Sequence, residues 1–410
     1  MREEENVLKN NNEIENFAIF ATVLLLASSI IRVGACLYLP AFPVIGKDLH
    51  ISDSNMGLTI SVYFAFFAIF SLISGPFSDA FGRRILILLG IIAYIVGSFL
   101  CGMANDFTLL LTGRIIQAIG ASMIPGTTRA MTRDAGSDVQ VVSLIGWIAV
   151  MGGVLLVGAP IIGGVVTDQF GWRYNFWGLV VFSVISLVIM FWSVPETLPH
   201  NKRFPLSLKP VLASYWEMLT SSGYMSAMIP VMLCFVFQGA YLASASFIFI
   251  RFFGLTPAKF GLSNIVIVIA LTLGRYLSVI AVKKYSPKLG YTLGGTITFL
   301  AMISFSIITI FHVETLFTLL TAVSIFCVAF GVISPIGVKS SITTFRKRSG
   351  MAAALQGCLS LGATAVGSAI TSLLMEHLSF LPTISIFSLF SIVIAGVTSL
   401  LAYIGRKNLV

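Results

Sequence analysis

Charge is scarce in this chain. Only 10% of its 410 residues are charged against 57% hydrophobic, and mean hydropathy is +0.98. A soluble fold of that size has nowhere to bury so much apolar surface, which excludes the soluble classes. Acids are scarcer still: there are 16, and none lies deep in a long apolar stretch. They fall in the amino-terminal tail, near one predicted membrane face (Asp48, Asp53, Asp106, Asp168, Glu314, Glu376) or near the other (Asp79, Asp134, Asp138, Glu196, Glu217). The 4 histidines also sit at ends or in connections. A proton relay through a membrane uses Asp, Glu or His within it, and no residue stands out for that task. The 5 cysteines are far apart, without metal-ligand or disulfide spacing, and read as small fillers of helix contacts. No Walker A pattern occurs, so the chain carries no ATP-driven motor, and no metal or other cofactor is expected. The opening MREEENVLKNNNEIEN lacks the features of a cleavable signal and is expected to be a disordered cytoplasmic tail over residues 1–16.

What the chain does have is long apolar stretches. Twelve are predicted, at 17–39, 54–77, 85–104, 107–131, 139–166, 174–194, 225–250, 258–282, 290–311, 315–338, 350–375 and 380–404. Each approaches the roughly 20 residues that cross a bilayer as a helix. With the amino terminus in the cytoplasm, 18 of the 25 Lys and Arg fall on the cytoplasmic side. Only Lys47, Arg173, Arg251 and Lys259 fall outside, and Arg32, Arg114 and Arg275 lie within spans. That bias is the positive-inside rule, so both termini are expected in the cytoplasm. It also explains the net charge of +9 through contacts with lipid headgroups, without nucleic acid. The Pro-rich, basic connection 195–224 divides the spans into halves at 17–194 and 225–404, followed by a cytoplasmic tail at 405–410. It is a linker with a short surface helix expected around Val211–Leu219. The expected fold is an all-α membrane protein of twelve transmembrane helices in two pseudo-symmetric six-helix halves, with a substrate site between them near the midplane.

Three motifs carry more. After span two the chain reads Gly75-Pro-Phe-Ser-Asp79-Ala-Phe-Gly82-Arg83-Arg84. Gly75 would let helices approach, Gly82 would permit a tight turn, and Asp79 would meet a helix N-terminus or pair with Arg133. Arg83 and Arg84 would sit at the headgroups. Such a cluster is expected to latch the cytoplasmic ends of the halves together and to break as they rock apart. Span five contains Gly153, Gly158, Pro160, Gly163 and Gly164. Glycines at helical spacing strip a face to backbone for close packing, and Pro160 would kink the helix and free a carbonyl. The third motif is the set Tyr38-Leu39-Pro40 closing span one, Met131-Thr132-Arg133-Asp134 closing span four and Gly171-Trp172-Arg173 opening span six, with Glu196-Thr197-Leu198-Pro199 after it.

The first motif resembles the signature of the major facilitator superfamily. The second resembles the antiporter motif of drug/proton exporters, and the full set is similar to the Bcr/CflA-type drug-resistance exporters. The resemblance implies a secondary transporter in the cytoplasmic (inner) membrane, working by alternating access. It would export a small-molecule drug or metabolite in exchange for a proton or another ion, as a monomer among membrane lipids, and would not be an enzyme. One position departs from it. Such families carry an acid in span one shortly before the Tyr-Leu-Pro, and here the corresponding residue is Cys36.

The intramembrane arginines point elsewhere. Arg32 and Arg114 are each expected about 10–12 Å from the outer surface, as a pair at one depth. Arg275 is expected about 12 Å from the cytoplasmic end. An unpaired arginine there is costly, and a planar guanidinium grips carboxylates with two hydrogen bonds. A second reading is therefore a carrier or importer of an anionic or polycarboxylate solute such as a siderophore, with proton coupling in doubt. The substrate-contact candidates are Arg32, Cys36, Tyr38, Arg114, Gln117, Gln238, Tyr241, Asn264, Arg275 and Gln356.

Overall fold

The computed structural model describes residues 2–135, 137–203, 208–284 and 287–375, together with 393, 394 and 396. Among the described residues all regular structure is helical, and eleven helices are long and apolar enough to cross a membrane. The predicted twelfth span, apart from those three positions, and the tail 405–410 lie outside the described residues.

The amino-terminal half contains α1 (Arg2–Cys36), the short α2 (Phe42–Asp48), α3 (Asp53–Phe81), α4 (Arg83–Gly102), α5 (Phe107–Ala135), α6 (Asp138–Phe170) and α7 (Arg173–Ser193). The linker carries α8 (Leu208–Thr220). The second half contains α9 (Ser222–Ser246), α10 (Pro257–Lys284), α11 (Pro287–Phe311), α12 (Leu316–Thr344) and α13 (Ser349–Met375). The tail expected to be disordered is instead the start of α1.

Local chemistry sets the breaks. Gly82 separates α3 from α4 at φ 108°, and Gly171 separates α6 from α7 at φ 97°. Both lie in the left-handed region, where only glycine is unstrained. Pro40 and Pro43, which lack N–H donors, lie in the 3₁₀ turn Leu39–Ala41 and at the start of α2, so α1 does not run on. Ser52 and Thr315 cap α3 and α12, their hydroxyls accepting from the Asn55 and Thr318 N–H groups at 3.2 and 3.1 Å. The linker helix α8 docks at one end of the bundle. The Tyr215 hydroxyl donates to the Leu72 carbonyl at 3.3 Å, and Arg348 pairs with Glu217 at 2.6 Å. Burial pushes the Tyr215 phenol up to about 12, which keeps it a neutral donor.

Glycines decide how closely the helices meet. In the first half, a Cβ at Gly97, Gly113 or Gly120 would overlap the backbone of the facing helix, so α4 and α5 touch main chain to main chain. Gly274 and Gly331 do the same for α10 and α12. Between the halves, contact is concentrated at the end of the bundle away from the linker. There Gly57 faces Ser372, the Ser61 hydroxyl donates to Ser368 at 2.9 Å, Gly164 meets the Pro257 backbone, and Gly261 meets the Pro160 carbonyl.

At the linker end the same faces are bare. A Cβ at Gly75, Gly153, Gly350 or Gly357 would find nothing within 4 Å, and neither would one at Gly158, which lies nearer the middle of α6 on another face. Gly75, Gly153 and Gly158 are thus not the close-packing positions that the sequence suggested; only Gly163 and Gly164 of that set are. The reason is geometric. Gly153 is three turns along α6 from Gly164 on the same face, so α6 and α10 touch at the far end and splay apart toward the linker end. Large apolar side chains such as Trp192, Phe170, Phe311 and Phe317 stay exposed around the outside, as a lipid-facing belt requires.

Candidate substrate cavity and gates

The splay leaves an open cleft between the halves, about 650 Å³ with the open solvent in it included. The first half contributes Cys36 and Leu39 after α1 and Leu156 and Pro160 of α6. The second contributes Phe237, Gln238 and Tyr241 of α9, Asn264, Ile267, Val268 and Leu271 of α10, and Phe326 and Phe330 of α12. The wall is apolar with a few polar groups. The Tyr241 hydroxyl is buried without a hydrogen-bond partner. Asn264 donates to its own helix at Phe260 (2.9 Å), leaving its carbonyl oxygen uncommitted by that bond. Pro160 has no N–H to offer the Leu156 carbonyl, which frees an acceptor at the wall. Cys36, Gln238, Tyr241 and Asn264, all expected at the site, come together here.

Arg32, Tyr38, Arg114, Gln117, Arg275 and Gln356 do not line it. Arg114 is 1% exposed, inside the first half. Its guanidinium lies between the rings of Tyr38 and Tyr63, 4.1 Å from each centroid. It donates to Gln117 Oε1; Gln117 Nε2 donates to Ser98 Oγ at 2.8 Å, and Ser98 to the Tyr94 carbonyl at 2.7 Å. Two aromatic faces and an amide meet the charge that the sequence assigned to a ligand, while its Nε is buried without a hydrogen-bond partner. Gln356 donates to Ser360 on its own helix at 3.0 Å. The expected pairing of Arg32 with Arg114 is therefore replaced. Arg32 lies against Gly152 of α6, and its charge interacts with that of Arg275, from the other half.

At the far end, charged groups join the halves. Asp53 of α3 pairs with Arg251 at 2.5 Å, and Asp168 Oδ2 accepts from the Ala258 N–H at the start of α10 at 3.0 Å. Arg251 lies in a π-helical turn, Phe247–Phe252, that extends α9. At the linker end the charged cluster lies within residues 79–203. Among the described residues, Arg83 pairs with Asp134 and with Asp79 (3.6 Å), and Arg203 with Glu196 (3.8 Å). Glu196 also accepts from the Arg83 and Arg84 N–H groups at 3.0 and 3.2 Å, so a carboxylate caps α4. A Cβ at Gly82 would come within 2.6 Å of that carboxylate. Asp79 thus pairs with Arg83, not Arg133, because the i, i+4 spacing puts Arg83 a turn away. Arg83 is held in the cluster instead of at the headgroups, and Arg84 donates to the Phe191 carbonyl at 2.5 Å. In this state the cluster ties the linker to the first half and does not latch the two halves.

A family model described as Major Facilitator Superfamily matches residues 24–336. The chain belongs to the major facilitator superfamily. It is a multi-pass membrane transporter, and not an enzyme. A bicyclomycin resistance protein homolog of Haemophilus influenzae is 25% identical over 359 residues, 86% of this chain and 85% of that one. The multidrug resistance protein MdtL of Citrobacter koseri is 32% identical over 183 residues, 44% of this chain and 45% of that one. Among solved structures, a bacterial homolog of the human lysosomal transporter Spinster, inward-facing and occupied, superposes with TM-score 0.74 at 16% identity, over 95% of this chain and 97% of that one.

Within this superfamily frame, several residues escaped the sequence reading. Glu196 entered it only as part of a motif, yet it organises the α3–α4 turn. Asp53, Arg251 and Asp168 passed as loop charges. A signal was available: Asp53 and Arg251 are opposite charges in the sparse far-end connections of different halves. The aromatic wall residues Phe237, Phe326 and Phe330 carry no such signal among 33 phenylalanines.

Proposed function

We propose that this transporter exports small, largely apolar organic compounds across the cytoplasmic membrane by alternating access. The cavity carries the reading: it lies between the halves, its wall is aromatic and aliphatic, and it is closed at the far end and open at the linker end. The basic linker and tails support a cytoplasmic location for the linker end and both termini. The cavity then faces the cytosol, where an exporter loads. Resistance proteins among the relatives support the direction. The protein works as a monomer among membrane lipids. The acids that touch both halves, Asp53 and Asp168, sit at the far seam and not in the cavity, so a coupling proton or other ion acts there.

Cells preloaded with the neutral fluorophore N-phenyl-1-naphthylamine test this. Expression should speed loss of the dye, and Leu156→Trp, which fills the cavity, should return the rate to that of cells without the transporter. Equal rates in all three, with the protein present in the membrane, would overturn the reading.

A further inference from the structure

We infer that Arg32 and Arg275 form a two-arginine selector at the cytoplasmic mouth of the cavity, and that the preferred substrate is an amphipathic organic anion. The inference rests on the cavity assignment above and names the chemistry that the cavity takes. Three helices place the site. Cys36 lines the cavity, and Arg32 is four residues earlier on α1, one turn toward the linker end on the same face. Asn264, Val268 and Leu271 line it from α10, and Arg275 continues that stripe by one more turn, also toward the linker end. Leu156 lines it from α6, and Gly152, one turn toward the linker end, is the residue against which Arg32 lies. Two guanidiniums, one from each half, therefore lie about one turn below the apolar chamber, near enough for their charges to interact.

Neither arginine has a carboxylate partner among the described residues, and each is exposed. Their mutual charge interaction is repulsive. This differs from Arg114, whose charge two tyrosine rings and Gln117 already satisfy. Two unpaired cations at membrane depth call for an anion. A carboxylate, sulfonate or phosphate placed between them would accept from both guanidinium forks. Its apolar body would reach one turn further, among Leu39, Leu156, Phe237 and Phe326. Because the arginines belong to different halves, a bridging anion replaces repulsion with attraction across the cleft. Loading would thus favour closure of the cytoplasmic mouth. Cations, including many lipophilic drugs, would meet a barrier at the same ring.

Three probes that share one ring system separate charge from apolar fit: 2-naphthoate, 2-naphthalenemethanol and 2-naphthylmethylammonium. Binding to the purified transporter in lipid nanodiscs would be measured at low and at high salt. Wild type should bind the naphthoate about tenfold or more tighter than the alcohol, and the ammonium weakest of the three. Added salt should narrow the gap. Arg32→Gln and Arg275→Gln should each remove most of the preference while leaving alcohol binding in place, which also shows that the variants are folded. Arg114→Gln should not change the ranking in whatever fraction folds. If the three probes bind alike in wild type and Leu156→Trp removes them all, the selector is wrong and the cavity stands. If none binds, or Leu156→Trp has no effect, the cavity assignment fails and the selector with it. A preference for naphthoate that survives both glutamine variants overturns the role of these arginines.

Discussion

Arg114 shows how one residue type serves opposite ends. A guanidinium between two rings and an amide needs no ligand, whereas Arg32 and Arg275, at similar apolar surroundings in sequence, have no such cage. Lysine cannot lie flat against Tyr38 and Tyr63 and also reach Gln117. Arg114→Lys should therefore lower stability by about 2 kcal/mol without changing which compounds the folded protein binds. Thermal unfolding in detergent, paired with probe binding below the transition, checks this. A variant of normal stability that had lost substrate would return Arg114 to the cavity. At this scale the sequence was legible in part. It singled out the three arginines because charge in an apolar stretch is conspicuous whatever the fold. It did not sort them, because the sorting depends on aromatic neighbours from other helices: Tyr38 is on the α1 side, Tyr63 on α3, and Arg114 on α5. Cys36 was found because it stands where the resembling families carry an acid, and Gln238 because side-chain amides in spans are few.

Among the helices, bare glycines record what the structure is not doing. Gly163 and Gly164 are pressed against backbone, while Gly153 on the same face as Gly164 borders open space. A face shaved for contact but left without one is a face used in another state. Gly153→Leu should be tolerated in the present state, so folding and probe binding persist. It should block approach of α6 to α10 at the linker end, where overpacking costs about 1–3 kcal/mol, and transport should fall severalfold. The discriminating measurement is binding against transport in one preparation; normal transport would mean that the stripe never closes. The sequence made the glycine stripe visible through its helical spacing, but its spacing is the same whether the neighbour is near or far. Span limits were legible for the opposite reason: apolar length and the flanking charges, caps and prolines are local. The exception is the start of α1, where polar composition suggested disorder and helical propensity prevailed.

For the whole molecule, two halves closed at one end and open at the other imply a second state with the ends exchanged. The sequence suggests the halves, through the linker between two sets of apolar stretches, and predicts an orientation, through its basic residues. It does not carry the state, since both states use the same apolar stripes and differ by a few contacts across the seam. The Asp53–Arg251 pair is one of those contacts. Both partners are partly exposed, so it contributes about 0.5–1 kcal/mol, enough to shift a balanced equilibrium two- to fivefold. The direct test uses spin labels in a variant whose 5 cysteines have been replaced. One pair, at Val139 and Thr343, spans the mouth at the linker end; the other, at Asn105 and Val313, spans the far end. Distance distributions would be compared with and without Asp53→Asn. Alternating access predicts reciprocal change: the long Val139–Thr343 population shrinks as the long Asn105–Val313 population grows, in similar proportion. Distributions that stay fixed, or widen together at both ends, would contradict it.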